Sequence, residues 1–166
     1  MAELIHSTLS SPIGKLYLLT RGELVLGLNL SGFQDLLSSL SASELEEKIN
    51  KSNKTNSVIQ SLENYFDGDL KAINSIKVKQ PGGGFSQAAW AAMRKIKVGT
   101  MESYADLAYR AGSPAAVRAA GSACAKNKIA VIIPCHRIIK SGGAIGAYGW
   151  GVDKKVWLLK HEGALD

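Results

Sequence analysis

The chain has 166 residues, 46% hydrophobic and 20% charged, enough to bury a real core in one domain or two small ones. No apolar run reaches the roughly 18 residues a membrane helix needs, and the start, MAELIHSTLSSPIG, lacks the basic stretch and apolar core of a secretion signal. The two cysteines, Cys124 and Cys135, form no CxxC pair and are too few for a disulfide framework or a structural zinc site. The net charge of +6 is uneven: residues 1–84 carry 8 Lys/Arg and 9 Asp/Glu (net −1), residues 85–166 carry 12 and 5 (net +7). The basic half is where a polyanion would dock, although a merely soluble basic surface has the same charge.

In chain order, Leu16, Leu18, Leu24, Leu26 and Leu28 alternate as in strands, with turns at Pro12-Ile13-Gly14 and Arg21-Gly22. Residues 41–53 read as an exposed helix capped by Ser41 or Ser43. Residues 57–66 read as another, with Val58, Ile59, Leu62, Tyr65 and Phe66 on one face. A short strand over Ile73–Val78 precedes Gln80-Pro81-Gly82-Gly83-Gly84, the best domain boundary. The expected division is 1–80, a linker over 81–84, and 85–166.

Beyond the glycines the pattern turns helical. Phe85 to Lys97 is one helix. Ser103 caps the next, with Asp106 completing a capping box, and it stops at Gly112. Ser113-Pro114 restarts a helix, and Asp153 to His161 forms the last. Two helices around a tight glycine turn suggest a helix-turn-helix, as do plain helical hairpins. The second carries Ala115, Ala116, Ala119, Ala120, Gly121 and Ala123 around the long cation Arg118. Small residues suit either close packing or a slim helix in a minor groove about 6 Å wide.

Ile132-Ile133-Pro134-Cys135-His136-Arg137-Ile138-Ile139 carries the chemistry. Apolar flanks argue for a buried cysteine, and burial usually leaves a thiol inert. A nucleophile needs a base and an electropositive setting, which His136 and Arg137 offer. Adjacency in a strand does not make two side chains face each other, so both readings stand on residue types alone.

The tetrad Pro134-Cys135-His136-Arg137 between isoleucines resembles the signature of the O6-alkylguanine-DNA alkyltransferases. Ser103-Tyr104, Arg118-Ala119-Ala120-Gly121, Asn127, Gly146, Tyr148, Gly151, Lys155, Leu158-Leu159 and Glu162 match it too, densely over about 85–163 and thinly at Ser11–Gly14 and Tyr65–Gly68. The resemblance implies an α+β fold. Its first part is a small α/β domain with an antiparallel, ribonuclease H-like sheet. Its second is a mostly helical domain with a helix-turn-helix and the acceptor cysteine.

The resemblance further implies direct-reversal repair. The damaged nucleotide leaves duplex DNA and its alkyl group passes irreversibly to Cys135 in a single turnover, without cofactor or metal. By position, Arg118 fills the vacated stack, and Tyr104 crowds the target phosphate and donates to the flipped guanine. Ser103, Ala119 and Gly121 line the DNA. Glu162 orients His136, which takes the thiol proton through water, and Asn127 braces the segment before the cysteine. Ile138, Tyr148, Gly149, Trp150 and Lys155 shape the substrate pocket, with the carbonyls of Cys135 and Ile138 accepting from the guanine amine. Arg137 ties the two domains together. The implied partner is double-stranded DNA carrying O6-alkylguanine, with O4-alkylthymine open, acted on by a cytoplasmic monomer (nuclear in a eukaryote) free of membranes. Cys124 reads as a small helix residue packed in the core.

Three departures from the family pattern stand out. Trp150 replaces a small glycine common among relatives, which predicts weak reaction with large free bases such as benzylguanine. Gly149 replaces a serine, and Val98-Gly99-Thr100 lacks a proline. Competing readings are an alkyltransferase-like lesion marker, which typically lacks the cysteine and the first domain, a helix-turn-helix regulator, and a cysteine hydrolase that turns over many times.

Overall fold

A computed structural model describes residues 2–166, and the chain divides into two compact units. One comprises Met1–Pro81 and Lys128–Ala130, the other Gly82–Asn127 and Val131–Asp166.

The first unit is built on a meander of β1 (Leu4–Ser11), β2 (Gly14–Arg21) and β3 (Leu24–Asn29). The turns Pro12-Ile13 and Gly22-Glu23 are too short for anything but antiparallel pairing, Leu4 opposite Arg21 and Tyr17 opposite Asn29. The single turns α1 (Phe33–Leu36) and α2 (Ala42–Leu45) lead to β4 (Ile49–Lys51), and α3 (Ser57–Phe66) leads to β5 (Lys77–Val78). These longer connections return the chain in the same sense, so β4 pairs parallel with β1 and β5 parallel with β3. The sheet, ordered β4-β1-β2-β3-β5, is therefore mixed and not antiparallel as expected.

The exposed helix expected over 41–53 is also corrected. Ser41 does cap it, in a box with Glu44, but α2 lasts one turn. Arg21 draws Glu47 to 2.8 Å and Glu44 to 3.4 Å, and Ile49 packs onto a core of Leu4, Leu19, Leu26, Leu36 and Leu40. Only the last two residues of Ile73–Val78 form a strand, while Ile73 is buried in a turn and Ile76 is buried just before the strand. Ile129 bridges to Leu28 beyond β5, fixed by Leu28 N to the Lys128 carbonyl at 3.0 Å and Ala130 N to the Leu28 carbonyl at 2.8 Å.

The second unit opens with α4 (Gly84–Met93), which ends four residues before Lys97. Gly82 must be glycine, since a Cβ there would lie 2.6 Å from the Trp90 ring. Trp90 Nε1 in turn donates to the Ala123 carbonyl at 2.9 Å, fastening α4 to α6 (Val117–Lys126). Between them lie β6 (Glu102–Ser103) and α5 (Tyr104–Arg110), where Ser103 and Asp106 form the expected capping box. α6 does not start at Ser113-Pro114. Those residues close their own turn, with Ala116 N on the Ser113 carbonyl, before helical bonding begins.

The segment around Cys135 is not a strand either. Cys135–Arg137 is a 3-10 turn, and the strand β7 (Ile138–Ile139) follows it, parallel to β6 with Glu102 beside Ile138. That pairing puts Ser103, the cap of α5, beside Ile139. α7 (Val152–His161) closes the unit. Among the described residues no helix is long and apolar enough to cross a membrane.

Candidate active site

Cys135 lies in the wall of a cavity of about 220 Å³ formed within the second unit by Tyr104, Gly121, Cys124, Ala125, Cys135, Ala147, Tyr148 and Gly149. Asn127, one residue past α6, donates Nδ2–H to the Ile133 carbonyl at 3.0 Å and to Cys135 Sγ at 3.4 Å. It thus holds the loop that presents the sulfur. Val131, at the start of that loop, has φ 69, a left-handed conformation that strains a β-branched residue.

The side chains of His136 and Glu162 are fully buried and meet at 2.9 Å between Nε2 and Oε2. Arg137 grips the same carboxylate, Nε to Oε1 at 2.9 Å and Nη2 to Oε2 at 3.0 Å, and spends Nη1 on the Ile96 carbonyl at 2.9 Å. Burial opposes the charge on Glu162, but the hydrogen bonds from His136 and Arg137 outweigh it and hold the carboxyl well below its ordinary range. Burial lowers His136, and the Glu162 bond only partly offsets this, so the imidazole is neutral near pH 7. A carboxylate only accepts, so Nε2 carries the ring hydrogen and Nδ1 is left as a bare lone pair, buried and unpartnered. It is a base without a proton to hold.

The Cys135 thiol is pushed up by burial, against which the Asn127 amide and the Lys155 ammonium pull it down. Lys155 is 1% exposed and donates to the Ile138 carbonyl at 2.6 Å and the Ala147 carbonyl at 3.1 Å. Burial lowers its pKa, with the Cys135 and Cys124 sulfurs opposing. Burial raises Tyr104, with smaller contributions from the same two sulfurs, so its phenol keeps its proton as a donor. At Gly146 the positive φ of 80 favours glycine, whereas a Cβ would make only ordinary contacts, 3.5 Å from Lys140 Cγ and the Tyr104 hydroxyl and 3.7 Å from Lys155 Nζ.

Of the residues expected in the site, Cys135, Tyr104, Gly121, Tyr148 and Gly149 face the cavity. His136, Glu162, Asn127 and Lys155 stand behind them. Ile138 is buried, its carbonyl already taken by Lys155. Trp150 packs edge-on against Tyr148, ring centres 5.2 Å apart, and is not in the cavity wall. Arg137, expected to tie the domains, commits its fork to Glu162 and its remaining nitrogen to the Ile96 carbonyl, both in the second unit. Arg118 is exposed, one turn before Gly121, Ala119 is half-buried, and the Ser103 hydroxyl is used as a helix cap. Cys124 is the main correction, since it faces the cavity and not the core. Its spacing, i+3 from Gly121, was the signal that could have placed it.

Fold and site together define a two-unit α+β protein with a buried cysteine beside a carboxylate-held imidazole. Residues 84–164 match the family described as 6-O-methylguanine DNA methyltransferase, DNA binding domain. The chain is 31% identical to a methylated-DNA–protein-cysteine methyltransferase of Salmonella typhimurium, covering 99% of both chains. It is 33% identical to one of Haemophilus influenzae, covering 98% of this chain and 88% of that one. The O6-methylguanine methyltransferase of Mycobacterium tuberculosis superposes with a TM-score of 0.78 at 31% identity, over 97% of this chain and 93% of that one. The chain belongs to the methylated-DNA–protein-cysteine methyltransferase family.

Proposed function

We propose that this protein repairs O6-alkylguanine in duplex DNA by moving the alkyl group onto Cys135, as a methylated-DNA–protein-cysteine S-methyltransferase that works once. The observation that carries this is the Cys135 sulfur in a cavity wall, held by Asn127 and backed by a neutral, Glu162-bound His136. His136 Nδ1 takes the thiol proton through a bridging water, and the thiolate displaces guanine from the alkyl carbon. Tyr104 donates to the leaving base. The product is a thioether with no leaving group, so the thiol does not return.

DNA binding is assigned to α5 and α6 as a helix-turn-helix, with Ala119 and Gly121 toward the groove. Arg118, exposed on α6, fills the gap left by the flipped nucleotide. The net +7 of residues 85–166 and the DNA complex of the Mycobacterium tuberculosis relative (TM-score 0.79, 30% identity, 96% of this chain and 93% of that one) support this reading. Three meander strands with β4 added parallel beside β1 support a ribonuclease H-like first unit. We assign a monomer working in the cytoplasm, with O4-alkylthymine as a second substrate to assay. The test is to mix the protein with a duplex carrying one O6-methylguanine. One added methylene per chain on the Cys135 peptide is expected, and repeated turnover or no gain overturns the reading.

A further inference from the structure

We propose that Cys124 is a resolving thiol for Cys135, so that hydrogen peroxide converts the two into a reversible disulfide that closes the acceptor site. The inference rests on Cys135 being the reactive thiol. The chain's two cysteines both open onto one cavity, Cys124 from α6 and Cys135 from the 3-10 turn. Space for a nucleobase admits a peroxide molecule. It also gives the turn room to approach α6 until the Cβ atoms reach the roughly 3.5–4.5 Å a disulfide needs.

The chemistry balances. His136 removes the Cys135 proton, the sulfur attacks one peroxide oxygen, the O–O bond breaks, and the departing hydroxide takes up that proton as water. Cys135 is then a sulfenic acid. The Cys124 sulfur attacks it, the S–O bond breaks, and hydroxide leaves with the Cys124 proton as a second water. Two electrons pass from the thiols to peroxide. Burial raises both thiols, Cys124 also through its neighbour Cys135, which slows the peroxide step at Cys135 and the resolving step at Cys124. The second is intramolecular and outruns further peroxide. Without Cys124 the sulfenic acid would go on to sulfinic acid, which thiols do not reduce.

The test treats reduced full-length protein with hydrogen peroxide. A single-chain mass loss of about 2 Da is expected. Unreduced trypsin digestion should link peptide Ala119–Lys126 to peptide Ile129–Arg137, and dithiothreitol should restore both mass and methyl acceptance. In Cys124→Ser, and in Cys124→Ala as a second variant, Cys135 should instead gain two oxygens that dithiothreitol does not remove. Oxygen gain without linkage in the wild type, no mass change at all, or full thiol recovery in both variants overturns the proposal. An untreated aliquot given the O6-methylguanine duplex reports on the repair reading separately.

Discussion

Arg137 and Glu162 pair through two parallel bonds in the interior of the second unit, 2.9 and 3.0 Å long, with neither side chain more than slightly exposed. The fork fixes the plane of the carboxylate, and Oε2 is thereby aimed at His136. Arg137 serves the proton path without touching it.

Glu162→Gln should cost about 3–5 kcal/mol, because it leaves the Arg137 charge buried and unmatched. Urea unfolding at neutral pH measures this. The pH sign follows from the folded values. Glu162 is depressed, so its contribution is complete above about 4.3 and fades as pH falls below that. His136 is also depressed, so acid favours the unfolded chain once pH drops below about 6.5. Stability that rises on acidification through this window would contradict both assignments.

His136→Gln should slow methyl transfer by about 10²–10⁴-fold, the usual worth of a positioned base, while the variant still binds duplex DNA. Wild-type single-turnover rates should fall as pH drops through the lowered His136 value. An unchanged rate in the variant would remove the imidazole from the mechanism.

Asn127→Ala strips the Ile133 carbonyl and the Cys135 sulfur of one shared donor. A loss of about 1–3 kcal/mol is expected for the stranded carbonyl. Asn127→Asp should be worse for transfer, because a carboxylate would raise the thiol further and move the rate profile to higher pH. Thermal melts and rate–pH curves for both variants decide this.

Gly146→Ala should weaken acceptance of bulky free bases more than methyl transfer from DNA. The added methyl points between Tyr104 and Lys155, and φ 80 costs of order 1 kcal/mol or more for a side-chain residue. Competition between a benzylated and a methylated substrate gives the ratio.

Trp150→Gly removes the edge contact to Tyr148 and should raise benzylguanine labelling. Because Trp150 is outside the cavity wall, any gain acts through Tyr148, and Tyr148→Phe in the same background should leave it in place.

The sequence was legible where chemistry is local. Ser103 with Asp106 and Ser41 with Glu44 are spelled out by spacing, and both capping boxes form. The cysteine tetrad marked the site, and the glycine run marks a place where the chain needs a bare backbone beside Trp90. Illegible were the features set by distant partners. β4 exists because β1 offers an edge, and α2 is short because Arg21 recruits its glutamates. Cys124 faces a cavity whose other wall comes from residues 147–149. Strand sense at the sheet edges depends on how long connections return, which periodicity does not encode.

The residues Lys128–Ala130 answer to the first unit although much of the second precedes them in the chain. During synthesis the ribosome must therefore deliver Ile129 before Leu28 can find its bridge. The N-terminal half waits, with one margin unfinished, until α6 has been translated. A truncation after Pro81 would strand that margin, and a fragment starting at Gly82 would carry a three-residue stretch with no sheet to join. Neither half is a natural cloning unit, and the chain is best inherited whole.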